Sequence, residues 1–130
     1  ILVTHDISVV AYVCDRIVVM YAGRVAEEGE MRDVLTAPFH PYTMGLYNAF
    51  PDLAGATGVL TPIAGAPPNL MHPPSGCRFA PRCPFAQEVC RNVAPPVDNF
   101  DAHRVACHRA GEAAALRPEA AKVETWGALA

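Results

Sequence analysis

The sequence predicts an α/β fragment followed by a small, irregular, cysteine-rich extension that binds metal. Three observations support this fold class. Residues 1–37 contain no proline and are rich in valine and isoleucine, whereas residues 38–96 hold 12 of the 13 prolines in the 130-residue chain. Four of the five cysteines fall between positions 77 and 107. Because proline interrupts helices and cannot donate to a sheet, regular elements are expected mainly before residue 38.

The first 37 residues have the pattern of alternating strands and helices. Apolar and β-branched runs predict strands, and apolar residues at helical spacing predict helices. Asp6 is a good N-cap for the first helix, and Ala22-Gly23 is expected to form the tight turn of a hairpin that Gly29 ends. The predicted elements are, in order, a strand over residues 1–4, a helix over 7–14, strands over 16–21 and 24–28, and a short helix over 31–36.

A further helix is predicted from Pro41, which suits a first helical turn because its missing N–H would have no partner there. The helix is expected to continue to Phe50, with Leu46, Tyr47 and Phe50 available for one apolar face. Pro51 is expected to stop it.

The rest of the chain shows little regular pattern. Glycines and prolines predict loops over residues 51–76. Residues 110–130 are rich in alanine and glutamate and show no pattern that would bury a face. We therefore divide the chain into an α/β segment (1–37), a cysteine-bearing extension (38–109) and a tail (110–130) that is expected to be disordered.

Charge and hydropathy exclude several classes of protein. Ten basic and 13 acidic residues give a formal net charge of −3, so the chain lacks the basic excess that neutralises nucleic-acid phosphates. Glu27, Glu28 and Glu30 are expected to face water. No apolar run approaches the ~20 residues that cross a bilayer, and no signal peptide is visible. We expect a fragment of a longer protein from a reducing compartment.

His5 lies where a predicted strand meets a predicted helix, and α/β sheets bind ligands beyond such strand ends. A histidine there can donate to an anionic oxygen, although a strand-end histidine without a function is the commoner case. Residues 1–29, from ILVTHD to AEEG, closely resemble the end of the ATP-binding subunit of an ABC transporter. The resemblance implies that His5 is the switch-loop histidine, which contacts the γ-phosphate of ATP and supports hydrolysis.

The printed sequence lacks the other parts of such an ATP site. It contains no G-x-x-x-x-G-K-[ST] phosphate loop, no signature loop, and no acidic strand end that would hold Mg²⁺ ahead of His5. In the family these lie upstream of the histidine run. We therefore predict that ATP and Mg²⁺ are cofactors of a full-length parent, and that this chain alone neither binds ATP tightly nor hydrolyses it.

The middle of the chain indicates a branch of that family. The motif His40-Pro41-Tyr42-Thr43 and the run Pro74-Ser75-Gly76-Cys77 resemble the C-terminal extension of oligopeptide and dipeptide transporter ATPases. Residues 63–68 continue the resemblance, with Ala64 where the family usually has proline. Residues 40–42 are expected to start a helix and to pack, without a catalytic role. The resemblance implies peptide import, with nickel or other solutes as alternatives.

The cysteines Cys77, Cys83, Cys90 and Cys107 have the spacing C-x5-C-x6-C-x16-C. Four thiolates can hold a [4Fe–4S] cluster or zinc. Structural zinc sites commonly use tighter cysteine pairs, whereas wider loops suit a cluster in which each iron takes one thiolate. A metal is expected because residues 51–109 could bury only a small core.

Three states of these cysteines remain open: an Fe–S cluster, zinc, and disulfides or free thiols. The resemblance favours the first, because the extension resembles one that carries a [4Fe–4S] cluster, and a structural role is preferred to redox sensing. His103 and His108 flank Cys107 and could replace a thiolate, while Cys14 is expected to be a small core residue. Three arginines are expected to offset the charge of a cluster or to face water: Arg78, Arg82 and Arg91.

The resemblance covers about residues 1–108 and implies the C-terminal portion of a protein that energises ABC-type import of oligopeptides or dipeptides. Residues 1–37 would then end a nucleotide-binding domain. The implied partners are a second ATP-binding subunit, transmembrane permease subunits and, indirectly, an extracytoplasmic peptide-binding protein, with the chain at the cytoplasmic face of the membrane. The alternatives are a stand-alone metal-binding interaction module without ATPase activity and a soluble redox protein.

Overall fold

The structure, a computed structural model, describes residues 1–49 and 61–127. The α-helices in this part of the chain are α1 (Ile7–Val13), α2 (Met31–Thr36), α3 (Pro41–Asn48), α4 (Glu88–Asn92), α5 (Ala113–Ala120) and α6 (Val123–Gly127). The β-strands are β1 (Arg16–Tyr21), β2 (Arg24–Glu30), β3 (Asp98–Phe100) and β4 (His103–Val105). Single 3₁₀ turns lie at Ala80–Arg82 and Ala110–Glu112.

The four strands form one antiparallel sheet in the order β1-β2-β4-β3. In the contact between β2 and β4, Glu27 lies opposite Val105 and Glu28 lies opposite Arg104. The sheet therefore joins a hairpin from the α/β segment to a hairpin from the cysteine-bearing extension. Strands β3 and β4 were not expected from the sequence, because three residues are too few to show a strand period.

The predicted hairpin of β1 and β2 is confirmed. Ala22 and Gly23 both have positive φ, 50° and 78°, as a two-residue turn between antiparallel strands requires. Gly29 was expected to end β2 but lies within it, opposite Ile17. A Cβ at Gly29 would come within 3.0 Å of Val34 Cγ2, so close packing against α2 explains the glycine.

The predicted cap of α1 is confirmed, since the Asp6 carboxylate accepts hydrogen bonds from the backbone N–H groups of Ser8 and Val9. The short helix predicted over residues 31–36 is confirmed as α2. The strand predicted over residues 1–4 was wrong for this structure. These residues are exposed and form no ladder with any described strand, and a strand needs a paired neighbour to satisfy its backbone.

The start of α3 is also confirmed. His40 is the N-cap and Pro41 occupies the first turn. The helix ends at Asn48, and the predicted stop at Pro51 lies outside the described residues. The predicted apolar face was wrong in detail, because Leu46 and Tyr47 are only half-buried. The buried positions of α3 are Pro41, Thr43, Met44 and Gly45. Met44 belongs to the core that includes α5 and α6, and a Cβ at Gly45 would lie 2.8 Å from the Trp126 ring.

Residues 110–130 were expected to be disordered. In the structure, helical elements instead extend through residue 127. Residues 113–127 form α5 and α6, and Trp126 is fully buried with its Nε1–H donating to the Ala120 carbonyl at 2.7 Å. Trp126 does not anchor this segment alone, because Ala113, Leu116 and Ala120 of α5 are buried in the same core at helical spacing.

The apolar core has two parts. One contains Ile17, Val34 and Leu35, with α1 packed against them, and Cys14 belongs to it as expected. The larger part surrounds Phe79 and Trp126 and draws its residues from β1, α3, α5, α6 and the cysteine loops. Among the described residues, none of the helices has the length and apolar character required to span a membrane.

Candidate metal centre

The four cysteines of the predicted set come from four separate places in the fold. Cys77 precedes and Cys83 follows the 3₁₀ turn at Ala80–Arg82, Cys90 lies in α4, and Cys107 follows β4. Cys90 is buried, and the other three are half-buried. The fold thus gathers side chains that span 31 positions of sequence.

All four cysteines line one small cavity of about 20 Å³, room for roughly one water molecule. The cavity lies between the 3₁₀ turn, α4 and the chain after β4. No described carboxylate lines it. Its aromatic and imidazole lining residues are Phe79, Phe85, His40 and His108. The donor set is therefore one of soft sulfur atoms with apolar surroundings.

Backbone hydrogen bonds hold the cysteine loops together. The Cys77 N–H donates to the Cys90 carbonyl at 2.8 Å, and the Ala80 N–H donates to the Cys77 carbonyl at 3.0 Å. Gly76 makes this approach possible, because a Cβ there would lie 2.4 Å from the Cys90 carbonyl oxygen. The close contact between the segment of Cys77 and the segment of Cys90 therefore requires a glycine at position 76.

The sulfur atoms also receive backbone N–H groups. The Arg109 N–H donates to Cys107 Sγ at 3.4 Å, and backbone hydrogen bonds from Phe79 and Phe85 favour the thiolates of Cys77 and Cys83 respectively. Such donors stabilise negative charge on sulfur. They point from the loops toward the cavity-lining cysteines.

Burial keeps the thiols of Cys77, Cys83 and Cys107 protonated when no cation is present, because it raises the pKa of each. Burial raises the pKa of Cys83 to about 12, and repulsion from Cys107, Cys77 and Cys90 acts in the same direction. Burial likewise raises the pKa of Cys107 to about 12 and also raises that of Cys77. Because thiolates repel one another, loss of a proton from one cysteine disfavours its loss from the others, and a bound cation would offset this repulsion.

The cysteines are free thiols in this structure. Within residues 1–49 and 61–127, no three or more His, Cys, Asp or Glu side chains are arranged so that they could hold one metal ion. The four cysteines therefore share one cavity but, as arranged in the described residues, do not form a site for a single metal ion.

His40 and Arg109 both line the cavity, although they lie far apart in the sequence. The His40 side chain is buried, and this burial lowers its pKa to about 4, so the ring is neutral near pH 7. Arg109 donates from Nη1 to the Phe85 carbonyl at 3.1 Å and forms an ion pair with Glu112. Arg109 therefore ties the loop of the second cysteine to the loop of the fourth.

A second, larger cavity of about 740 Å³ lies between β2, β4 and the proline-rich loop before Cys77. Its lining includes Arg24, Arg78 and Arg104. The two cavities have three residues in common: His40, Cys77 and Phe79. These residues therefore form the wall between the groove and the cysteine cavity.

Glu27 is fully buried, contrary to the expectation that it faces water. Its Oε1 accepts from the Phe39 N–H at 2.8 Å and lies 2.7 Å from His103 Nδ1, to which we assign a proton. Its Oε2 accepts from the His40 N–H at 2.9 Å. The carboxylate thus joins β2 to β4 and to the chain that leads into α3, close to the cysteine cavity.

The remaining sequence-predicted residues have other positions. His103 pairs with Glu27, and His108 Nε2 lies 2.9 Å from the Val93 carbonyl oxygen, so the structure gives both histidines partners other than a metal. Arg82 donates to the carbonyls of Ile63 and Ala64. None of the three arginines that were expected to lie around the cysteines lines the cysteine cavity: Arg78, Arg82 and Arg91.

His5 is exposed and lies in a bend immediately before α1. It does not line the cysteine cavity. The structure therefore separates the two predicted sites, bringing the four cysteines together and leaving His5 on the surface.

The sequence indicated a helix start and packing for His40, as the structure has it, but gave no sign that Glu27 is buried. The signal for His40 was its position before a proline at a helix start, which favours an N-cap. No local signal could identify Glu27, because its partners lie 12, 13 and 76 residues away.

Comparison with known proteins places this architecture. A family model described as the oligopeptide/dipeptide transporter, C-terminal region, matches residues 26–90. The chain is 50% identical over 110 residues to the oligopeptide transport ATP-binding protein OppD of Salmonella typhimurium, covering 84% of this chain and 32% of that protein. It is 52% identical over 110 residues to the dipeptide transport ATP-binding protein DppD of Bacillus subtilis, covering 82% and 32%.

A third relative is the OppD protein of Haemophilus influenzae, at 48% identity over 101 residues, covering 78% of this chain and 31% of that protein. The chain thus spans about a third of the length of the curated relatives it matches. With half of its residues matched by the family model, the chain belongs to the family of oligopeptide/dipeptide transporter C-terminal regions.

Proposed function

We propose that the chain is the C-terminal portion of an ATP-binding subunit that energises peptide import, and that its cysteine-rich part is stabilised by a [4Fe–4S] cluster. The relatives are named as oligopeptide or dipeptide transport ATP-binding proteins, which supports the first half. The observation that carries the second half is the cavity lined by Cys77, Cys83, Cys90 and Cys107.

The donor set fits an iron–sulfur cluster in its chemistry. Such clusters are held by four cysteine thiolates, and hydrogen bonds to the sulfurs tune them. Backbone N–H groups already reach the sulfur atoms of Cys77, Cys83 and Cys107. The cluster would supply cross-links between four loops. Because the cavity measures about 20 Å³, a four-iron centre would need the loops to move outward around it.

Zinc is the less supported occupant. A zinc ion bonds each sulfur at ~2.3 Å, so its ligands must converge closely. The four cysteines have the wide spacing C-x5-C-x6-C-x16-C, whereas structural zinc sites commonly use tighter cysteine pairs. This spacing is what favours a centre in which each thiolate takes its own iron.

The proposal assigns residues 1–37 to the end of a nucleotide-binding domain and residues 38–109 to the extension. His5 would contact the γ-phosphate of ATP, with Mg²⁺ and the phosphate loop supplied by the rest of a full-length subunit. The exposure of His5 before α1 is compatible with that role. Exposed apolar residues of this segment would give the rest of the domain a surface to pack on: Leu2, Val9, Tyr12, Val18 and Met20.

The proposed partners are those of a peptide importer. A second ATP-binding subunit and transmembrane permease subunits would bind directly, and an extracytoplasmic peptide-binding protein would act indirectly. The chain would lie at the cytoplasmic face of the membrane as a peripheral protein. By itself it would not hydrolyse ATP. The relatives' names do not favour the alternative of a stand-alone metal-binding module.

The test is metal analysis of the chain purified without oxygen. We expect about four irons and four acid-labile sulfides per chain, with broad visible absorption typical of a four-iron cluster. The Cys83→Ser and Cys107→Ser double variant is expected to lose both, whereas Cys14→Ser, which removes a thiol from the other part of the core, retains them. One zinc per chain without sulfide would contradict the cluster. ATPase activity of the isolated chain that depends on His5 would contradict the proposed division of labour.

A further inference from the structure

The groove between β2, β4 and the proline-rich loop has a charge opposite to that of the whole chain. Its volume of about 740 Å³ lies within the ~300–1,000 Å³ that is usual for ligand sites. The chain carries a formal net charge of −3. The charged residues that line the groove are nevertheless three arginines and one glutamate: Arg24, Arg78, Arg104 and Glu28. An occupant that complements the groove is therefore acidic.

Two of these arginines, Arg24 and Arg78, form no ion pair with any carboxylate in the part of the chain that the structure describes. Arg78 donates from Nη1 to the Ala22 carbonyl, a neutral acceptor that leaves the charge of the guanidinium uncompensated. A Cβ at Gly23 would lie 3.3 Å from Arg78 Nη1, so this guanidinium lies against the turn that Arg24 directly follows. Each arginine fork can bind a carboxylate through two parallel hydrogen bonds.

The backbone of β2 lacks a strand partner at the same place. β4 reaches β2 only as far as Ala26, whose carbonyl accepts the Ala106 N–H at 2.9 Å. No described strand pairs with Arg24 or Val25 on this side. Because Arg24 pairs with Tyr21 across the two-residue turn, the N–H and C=O of Val25 point to the other side of β2, toward β4. Val25 and Ala26 both line the groove.

We propose that the groove binds an acidic, extended segment of a partner protein. The segment adds as a short strand beside Val25 and places a carboxylate on Arg24 and Arg78. Main-chain hydrogen bonds give the affinity, and alternate apolar side chains of the segment pack on apolar lining residues such as Pro95 and Val97. This inference goes beyond the proposed function, and it requires neither ATP nor an occupied cysteine cavity.

The probes are fluorescein-labelled, end-blocked pentapeptides in which leucine, isoleucine or valine alternates with glutamate. Their binding to the full chain is followed by fluorescence anisotropy. One matched set has glutamine in place of glutamate, and another is N-methylated at every internal amide, which removes the N–H groups that a strand donates. We expect saturable binding of the glutamate peptides and binding weaker by on the order of tenfold for both matched sets.

Substitutions in the chain test the arginines. Arg24→Gln and Arg78→Gln are each expected to weaken binding of the glutamate peptides by on the order of fivefold. Arg91→Gln is the matched control, because Arg91 is exposed, does not line the groove and carries the same charge. Its effect should stay within about twofold. If Arg78→Gln disturbs the turn, Arg24→Gln still decides, because Arg24 is exposed and holds no described ion pair.

Each other outcome overturns the inference. Absence of saturable binding across the glutamate set refutes an acidic occupant, as does equal binding of the glutamine set or equal affinity in Arg24→Gln. Binding that requires the arginines but tolerates N-methylation reveals an anion site alone and refutes strand addition. Self-association of the chain in sedimentation that Arg24→Gln abolishes would assign the groove to a second copy. Iron and sulfide content does not enter these measurements, so failure of the proposed cluster is distinguishable from failure of this inference.

Discussion

The amino-terminal segment (residues 1–20) and the cysteine-rich segment (residues 61–127) differ in how well their sequence patterns predict which side chains are buried. The amino-terminal segment has clear strand and helix patterns, yet Tyr12 is 91% exposed and Val3 is 92% exposed. The cysteine-rich segment has little regular pattern, yet it contributes two fully buried aromatic side chains, Trp126 and Phe79, which are 0% and 2% exposed. Local periodicity therefore predicts that an element exists, while long-range contacts decide what it buries.

The contrast revises the role expected for a metal. Residues 51–109 were expected to bury too little to order themselves, but the described part of this region shares a core with β1, α3, α5 and α6. Tyr21, Tyr42 and Phe79 pack with ring centroids 4.7–5.3 Å apart, which adds to that core. A cluster would then cross-link loops that already surround packed aromatic residues.

The largest expected effect sharpens the comparison with one aromatic residue from each segment. Trp126→Ala removes a fully buried ring and its hydrogen bond to Ala120, and should lower the free energy of unfolding by about 3–5 kcal/mol. Tyr12→Ala removes an exposed ring and should change it by less than about 0.5 kcal/mol. Urea unfolding followed by circular dichroism measures both.

Equal effects of the two substitutions would break the comparison. A small loss at Trp126 would mean that α5 and α6 do not contribute to the core. A large loss at Tyr12 would mean that the amino-terminal segment is covered in solution, for example by self-association, which the concentration dependence of the unfolding midpoint would reveal.

An intermediate effect is expected where the two hairpins of the sheet meet. Glu27→Gln keeps the volume of the side chain but replaces a carboxylate that accepts from Phe39, His40 and His103. The new amide N–H group faces donors, so the free energy of unfolding should fall by about 3 kcal/mol. The adjacent Glu28→Gln is the matched control.

Glu28 is partly exposed and pairs with Arg104 at 3.2 Å and with Arg16 at 3.9 Å. Exposed ion pairs of this kind contribute about 0–1 kcal/mol, so Glu28→Gln should change stability little. If the two glutamates proved equivalent, the buried carboxylate would not be what joins β2 to β4 and to the start of α3.

These residues show what the sequence could predict. Caps, turns and apolar spacing act over a few residues, so α1, the β1–β2 hairpin, α2 and the start of α3 were predicted correctly. The spacing of the cysteines identified the set that shares a cavity. In contrast, β4 depends on pairing with β2, and β3 on pairing with β4. The helices α5 and α6 pack through Ala113, Leu116, Ala120 and Trp126 against residues distant in sequence.

The same reasoning explains the misjudged site residues. Glu27 belongs to a run of acidic residues whose composition is typical of a solvated edge, and its burial follows from a bond to His103 across 76 residues. Arg78 and Arg82 were grouped with the cysteines because they are close in sequence. Their guanidinium groups donate instead to carbonyls of the β-turn and of residues 63–64.

The smallest effect concerns protonation within the cysteine-rich core. Burial holds the pKa of His40 at about 4 in the folded protein, against 6.5 for an ordinary histidine. Between these values the unfolded chain binds a proton that the folded chain does not, so the free energy of unfolding falls as the pH drops through this window. From pH 7 to pH 5 the loss attributable to His40 should be about 2 kcal/mol.

The measurement is urea unfolding of the unmodified chain and of His40→Asn at both pH values. The variant retains a capping acceptor but has no titrating ring, so its stability should depend less steeply on pH by the amount that His40 contributes. Parallel pH dependences in the two proteins would mean that the ring is hydrated in the folded state, and the wall between the groove and the cysteine cavity would then be open to water. A steeper dependence in the unmodified chain would show that this wall excludes water even though Cys77 and the groove lie against it.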